Sequence, residues 1–599
     1  MIKRRFHIII SQGTGRQLLW LAGLCLLLFF VLFTVSNLVY GDLGWQEVLA
    51  LFLDPGCFGG PDKHDYFRLL VALVGCFSFS ALLVSVFSNV LDNIADGWQD
   101  GNVRYKHRDH TLILGSHKHL LNMLTAQELP SGDIVIMTNQ DVRQLRQEIE
   151  RMGLDKRVYK RLTFYHGSRD NLQDLASVSP QKAKLIYIIG ENAEEGHDSI
   201  TVRCVKMLHG LCQKTGKDIT AFALLTDIVT TEVMARSTAV GKASRLHVDY
   251  INLHEYEAEQ LMVNTDFLPA IQAEDPESLR LVIIGAGDMA HAVANTAGHM
   301  AHYLNHKSEA QASEFTLVAA GIETWARDFM AAHEGLFRLS RWSLVHADGS
   351  EERHMPTTED GDYLDIRWTF IDAAPESSSF RSYCKYLSES EHRNLRIVVC
   401  HDDDQTSLHT ALHLPSCLHD VDVAVYQNGR NDIQQWAAET HLFFRLHAFG
   451  PACEGADPLF LHRAERGKRV NYYYDRAYNN PPSANADVAW SKISESHKLS
   501  SIYCANAMVL RARCITPEAP IRDLCELEHR RWMLSVLLMG YQPFSLAESR
   551  SIRGDKPRFK QMKAQYQHAD IAPFDDLDEK TQAQDQLFIE HSGEILDRN

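Results

Sequence analysis

Several marks of common protein classes are missing from this chain. Its twelve cysteines fall singly between Cys25 and Cys525, with no CxxC pair and no zinc-ligand spacing. Neither a structural metal nor a disulfide scaffold is therefore expected, and the thiols read as reduced and mostly buried. Thirty histidines form no HExxH pattern. No basic stripe stands out, and the net charge is -17, which argues against a nucleic-acid partner. No base is paired with a substrate pocket, so no catalytic residue is assigned and no enzyme is expected. Long hydrophobic runs are confined to the first hundred residues, while 599 residues are too many for one core.

Those first hundred residues read as a membrane module, 1–100. Leu18 to Tyr40 is uncharged and rich in Leu, Phe and Val, and as a helix it would extend roughly 35 Å. A second apolar run covers Phe67 to Val90. Lys3, Arg4, Arg5 and Arg16 precede the first run, and Arg104, Lys106 and Arg108 follow the second. Lys63 is the only Lys or Arg in 41–65. The positive-inside rule then predicts a two-pass inner-membrane protein with both termini cytoplasmic. Between the runs, 44–60 reads as a re-entrant loop: a short apolar helix from Trp45, then Asp54, Pro55, Gly56, Cys57, Phe58, Gly59 and Gly60. Non-helical backbone at membrane depth must be buried or line water, so Asp54, Pro55, Gly56, Cys57, Gly59 and Gly60 are the expected pore residues, with Asp54 favouring a permeant cation. The potassium-filter sequence TVGYG is absent. A plain external hairpin is the alternative.

A polar linker, 92–109, leads to a first α/β domain, 101–275. Thr111–Gly115, Ile134–Thr138, Thr163–Gly167, Leu185–Gly190, Ala221–Asp227 and Leu246–Tyr250 read as strands separated by helices, which predicts a parallel Rossmann-like sheet. Ligands bind such sheets beyond the carboxyl ends of the strands. The candidates there are Gly115, Ser116, Asn139, His166, Gly167, Gly190 and Glu191. The first turn is not a full GxGxxG, and a scaffold that binds nothing is the competing reading.

Two apolar runs feeding HTLILG, GDIVIMTNQD and FYHGSRDNLQDLASVSPQKAKLIYIIGENAEEGHDS resemble the CASTOR/POLLUX family of ion channels over residues 40–265. The resemblance implies RCK-type (TrkA-N-like) domains in a gating ring beneath a homotetrameric cation channel. The filter region shares only an Asp-x-Gly element at Asp54 to Gly56.

A second Rossmann-like domain, 276–460, opens with an apolar strand and the GxGxxA of Gly285, Gly287 and Ala290, whose glycines admit a phosphate at the helix N-terminus. Glu323 follows the next strand as a candidate ribose ligand. Asp402, Asp403 and Asp404 read as a solvated acidic turn, with a metal or a basic partner as the competing reading.

From 461 to 599 helical spacing dominates. ELEHRRW followed by LLMGY, and then IAPFDDLDEKT, resemble the RyR domain of ryanodine receptors. That resemblance implies a helical sensor or protein-interaction module, with Glu528, His529, Arg530, Trp532 and Tyr541 as its ligand candidates. A nucleotide would stack on Trp532 or Tyr541 with Arg530 on a phosphate; in the competing reading these are packing residues.

The combined expectation is a ligand-gated cation channel: a two-span pore-loop module in a lipid membrane, α/β Rossmann-like RCK domains and a mostly α-helical RyR-like domain. Its ligand would be a nucleotide (NAD, ADP/ATP or a signalling nucleotide). The alternatives are a non-conducting membrane-anchored nucleotide sensor, a regulatory subunit of an ion transporter and, with least support, an NAD-dependent enzyme using Gly285 and Gly287.

Overall fold

The computed structural model describes residues 14–39, 44–54, 65–126, 128–192, 194–213, 216–236, 245–307, 311–357, 359–389, 394–418, 420–427, 445–451, 457–516 and 518–596. The chain divides into two compact units: residues 1–104 with Asp141–Arg143, and the remainder.

The first unit holds three helices, Thr14–Val39, Trp45–Leu53 and Asp65–Gln99. The short middle helix buries Val48, Leu51 and Phe52 against Phe29, Phe33, Phe67 and Val71. Its backbone approaches the third helix so closely that a Cβ on Gly75 would stand 2.0 Å from the Phe52 carbonyl oxygen. Arg68 pairs with Glu47 at 2.7 Å.

Here the membrane expectation is corrected. Among the described residues no helix is long and apolar enough to cross a membrane. The predicted two-span module and the two-pass inner-membrane location therefore do not stand. Thr34 and a buried Ser36 lie in the first helix. The third contains Arg68 and runs on through Asp92 and Asp96 to Gln99, where a polar linker was expected. Asp54 is the C-cap of the short helix, its N–H donating to the Ala50 carbonyl at 2.8 Å. Pro55, Gly56, Cys57, Gly59 and Gly60 lie outside the described residues.

The second unit contains two sheets. In the first, β1 (Thr111–Gly115), β2 (Ile134–Thr138), β3 (Leu162–His166), β4 (Leu185–Gly190), β5 (Ile219–Leu225) and β6 (Leu246–Asn252) are all parallel, in the order β3-β2-β1-β4-β5-β6. This is the doubly wound dinucleotide-fold order, with its switch point between β1 and β4. Every residue of β1, β2 and β4 is buried, as expected of strands covered on both faces.

The second sheet repeats the pattern around β7 (Arg280–Ile284), β8 (Ser313–Ala319), β11 (Ile366–Asp372), β12 (Leu395–Val399), β13 (Asp422–Tyr426) and β14 (Arg445–Phe449). An added edge is a hairpin of β9 (Trp342–Val345) and β10 (Glu351–His354), the one antiparallel pairing described. The order is β10-β9-β11-β8-β7-β12-β13-β14. Strand patterning had not anticipated β9, β10 or β14, whose burial is mixed because they lie at the sheet margins.

Helices then take over: Glu465–Tyr478, Ala486–Lys492, Glu495–Cys514, Ile521–Leu538, Leu546–Arg553, Lys556–Ala564 and Glu579–Glu590. Helices Glu495–Cys514 and Ile521–Leu538 bury side chains on most of their circumference, and Leu534, Leu537 and Leu538 join the core of the second sheet.

Candidate functional site

The β1 turn has the place for a phosphate, but a carboxylate of the chain already fills it. Glu191, 5% exposed, accepts from the Ser116 N–H at 2.9 Å and Oγ at 2.6 Å. It also accepts from Thr138 Oγ1 at 2.9 Å and from the Asn139 N–H at 3.1 Å. Gly115, at φ +119°, passes so near β4 that a Cβ would meet the Gly190 oxygen at 2.0 Å. On Gly190, at φ +71°, a Cβ would lie 2.2 Å from His197 Cε1. A Cβ on Gly167 would meet Asp174 and Met137 less closely, at 3.2 Å. The structure thus brings together Ser116, Asn139 and Glu191, with Gly115 and Gly190 beneath them, while His166 remains exposed. Sequence reasoning missed Arg169, buried beside this turn, where it donates to Thr201 Oγ1 at 2.6 Å and pairs with Glu194.

The β7 turn is also approached by acid. Gly285, at φ +139°, leaves room for the Cys400 carbonyl, 2.4 Å from where a Cβ would stand. Gly287 leaves room for Asp402, whose Oδ1 is 2.0 Å from the corresponding point. Ala290 is fully buried on helix Asp288–Met300. Burial pushes the Asp288 carboxyl up, and Asp402, Asp227 and Asp198 add to the rise against the opposing effect of His254. A phosphate arriving at this turn would meet that negative field. Glu323 lies on helix Ile322–Ala332, 3.4 Å from His346 Nδ1 and 3.6 Å from Arg327. Asp403 caps helix Asp404–Leu412 by accepting from the Thr406 N–H at 2.8 Å.

The third site is a cavity of about 490 Å³ among the C-terminal helices, within the size range of small-molecule sites. Helix Ile521–Leu538 supplies Glu528, His529, Arg531 and Trp532 to its wall, and helix Glu495–Cys514 supplies His497, Ser501 and Cys504. Arg553, Phe559, Lys563, His568 and Asp570 complete one side. His568 is set edge-on to Trp532, with ring centroids 5.0 Å apart, and edge-on to Phe559 at 5.3 Å. Its Nδ1 accepts from the Asp570 N–H at 3.2 Å. Burial drives the His568 imidazole well below its ordinary value, helped by Lys563. Burial also lowers the Lys563 ammonium, against the pull of Asp570. Both Nη atoms of Arg553 are shielded from solvent and have no hydrogen-bond partner among the described residues.

The other lining acids are committed elsewhere. Glu528 accepts from Arg531 Nε at 3.0 Å and Nη2 at 2.8 Å, and also from Arg511. Asp585 faces His529 Nδ1 at 3.4 Å, while His529 Nε2–H donates to the Ala572 carbonyl at 2.9 Å. Of the five residues singled out from the sequence, Trp532, His529 and Glu528 line the cavity, and Glu528 does so as the centre of a buried ion cluster. Arg530 is not among the lining residues; it pairs with Glu526. Tyr541 packs edge-on to Tyr566 at 5.4 Å in the core. Arg553, Phe559, Lys563 and His568 were missed. The available signal was the basic run from Arg550 to Lys563, placed between the two motifs.

The two sheets in dinucleotide-fold order, parallel apart from the β9–β10 hairpin and joined to a helical domain with a cavity, define a protein built on paired Rossmann-like units. No protein-family model matches the chain, and no curated protein matches it significantly. Solved structures do match. One described as the GsuK channel is 12% identical, with coverage of 72% of this chain and 81% of that one and a TM-score of 0.37. GsuK bound to ADP is 14% identical, with coverage of 73% and 95% and a TM-score of 0.35. The GsuK channel bound to NAD is 12% identical, with coverage of 73% and 81% and a TM-score of 0.36. At these scores the site is read from this chain's own geometry.

Proposed function

We propose that the chain is a nucleotide-sensing regulatory protein of an ion-transport system, in which the paired Rossmann-like units are the scaffold and the C-terminal cavity is the sensor. Binding, not catalysis, is its role. The carrying observation is the cavity itself: Trp532 lines it together with basic groups that include Arg553, whose two Nη atoms have no hydrogen-bond partner among the described residues. Flat aromatic ligands stack on such walls, and planar guanidinium groups suit anions. The β1 and β7 turns are poorer candidates, because Glu191 and Asp402 bring negative charge to the places where phosphate would sit.

One helix links sensor and scaffold, which favours a regulatory reading. Glu495–Cys514 lines the cavity with His497, Ser501 and Cys504. On its other sides Lys498 pairs with Asp249 of β6 at 3.1 Å, and Tyr503 donates to Glu255 at 2.6 Å. The Tyr503 ring also stacks on His299, beside the second sheet, at 3.6 Å. A ligand that prefers one position of this helix shifts the scaffold by its differential affinity.

The test is calorimetric titration of the full chain with ADP, ATP and NAD. Saturable binding of at least one, weakened tenfold or more by Trp532→Leu, is expected. Unchanged binding in that variant, or no heat with any of the three, sinks the reading.

A further inference from the structure

The charges around the cavity are unevenly committed. Three of its four acids are already engaged. Glu528 is held by Arg511 and Arg531, and Asp585 faces His529. Asp578 caps helix Glu579–Glu590, accepting from the Thr581 N–H at 2.8 Å. Only Asp570 is left to answer the cations. Against it stand Arg553, Lys556, Lys563 and Lys580, none with an ion pair among the described residues.

Resting on the reading of this cavity as a nucleotide sensor, we infer that its occupant ends in a phosphoryl group carrying at least two negative charges, seated at Arg553, Lys563 and His568 while the flat part lies along Trp532. Arg553 offers two buried N–H-bearing atoms with no acceptor, and an unsatisfied buried donor of that kind costs free energy until an acceptor arrives. Lys563 adds a point charge on the same side. His568 keeps Nδ1 as an acceptor for the Asp570 N–H, so its Nε2 is the nitrogen left to donate to a ligand oxygen. The ring itself stands between Trp532 and Phe559, which joins the anion seat to the aromatic wall. Burial and crowding already hold Lys563 and His568 below their ordinary proton affinities, and an arriving dianion relieves that strain.

Titration of the full chain with adenosine, ADP and inorganic pyrophosphate, in wild type and in Arg553→Leu and Lys563→Met, separates the two ideas. ADP is expected to bind at least tenfold more tightly than adenosine. Each variant should erase most of that gain while leaving adenosine affinity within about twofold. Pyrophosphate should bind wild type and lose at least tenfold in Arg553→Leu. Equal affinity for adenosine and ADP overturns the phosphoryl seat while leaving a nucleoside sensor intact. Pyrophosphate binding that depends on Arg553, with ADP no tighter than pyrophosphate, keeps the seat and overturns the nucleotide reading. A gain from phosphate that survives in both variants places the anion elsewhere and overturns the inference. Circular dichroism melts of each variant, expected within a few degrees of wild type, separate loss of the seat from loss of the fold.

Discussion

Substituting Glu528 by Gln tests whether the C-terminal helices are held by one buried carboxylate. Glu528 is 1% exposed and receives two guanidinium groups, Arg531 from its own helix and Arg511 from helix Glu495–Cys514. Glutamine keeps the volume and removes the charge, which leaves two cations in the core without a counter-ion. Breaking a buried pair in this way costs about 3–5 kcal/mol. A second route gives a similar figure. Burial pushes the Glu528 carboxyl up, but Arg531 and Arg511 outweigh it and hold the group at about 2, against 4.5 unperturbed. At about 1.4 kcal/mol per pH unit this is about 3 kcal/mol. Because the folded value lies below the unfolded one, the stabilisation is fully present above pH 4.5 and is lost as pH falls toward 2. About 2 kcal/mol of it should be gone by pH 3. For a cooperative unit of 150–250 residues the loss at pH 7 corresponds to a Tm lower by roughly 6–20 °C. Thermal melts of wild type and Glu528→Gln from pH 7 to pH 3 are the assay. A wide gap at pH 7 that narrows below pH 4.5 is expected. A variant that melts within a degree of wild type at pH 7, or a gap independent of pH, refutes the argument. Adding Arg511→Met and Arg531→Met to Glu528→Leu should recover much of the loss, because a well-packed apolar replacement removes the stranded charges.

Two further predictions concern the β1 turn. Gly115→Ala forces a side chain onto a backbone at φ +119° and a Cβ to 2.0 Å from the Gly190 oxygen. A loss above about 3 kcal/mol is expected, read as collapse of soluble yield or of the near-ultraviolet circular dichroism signal; a stable, soluble Gly115→Ala protein would contradict the close strand approach. Glu191→Ala strands the donors of Ser116, Thr138 and Asn139, at about 1–3 kcal/mol. Denaturant melts at pH 7 check it, and an unchanged midpoint would mean that water replaces the carboxylate without cost.

The Rossmann-like units were legible in the sequence because runs such as Leu112–Leu114 and Ile186–Ile189 are apolar on both faces. Helices separate them, and glycines stand where the strands end. The switch-point residues were legible for the same reason: strand order dictates that Ser116, Asn139 and Glu191 meet. What the sequence did not disclose is that Glu191 itself occupies the anion position, since a side chain 75 residues away from Ser116 reaches it only through the parallel pairing of β1 with β4. Nor did it disclose that Asp402 stands at Gly287.

The C-terminal domain marks the division most clearly. Sequence alone determined its helices, by the spacing of apolar residues, and pointed to Trp532 and Glu528 on one helix. The tertiary structure decided what those residues do. It turned Glu528 toward Arg511 and Arg531, tied Arg530 to Glu526, sent Tyr541 into the core and brought Arg553, Lys563 and His568 into the same cavity wall as Trp532. Periodicity fixes which side of a helix is buried. Which charges find partners, and which are left facing a cavity, depends on contacts between segments far apart in the chain.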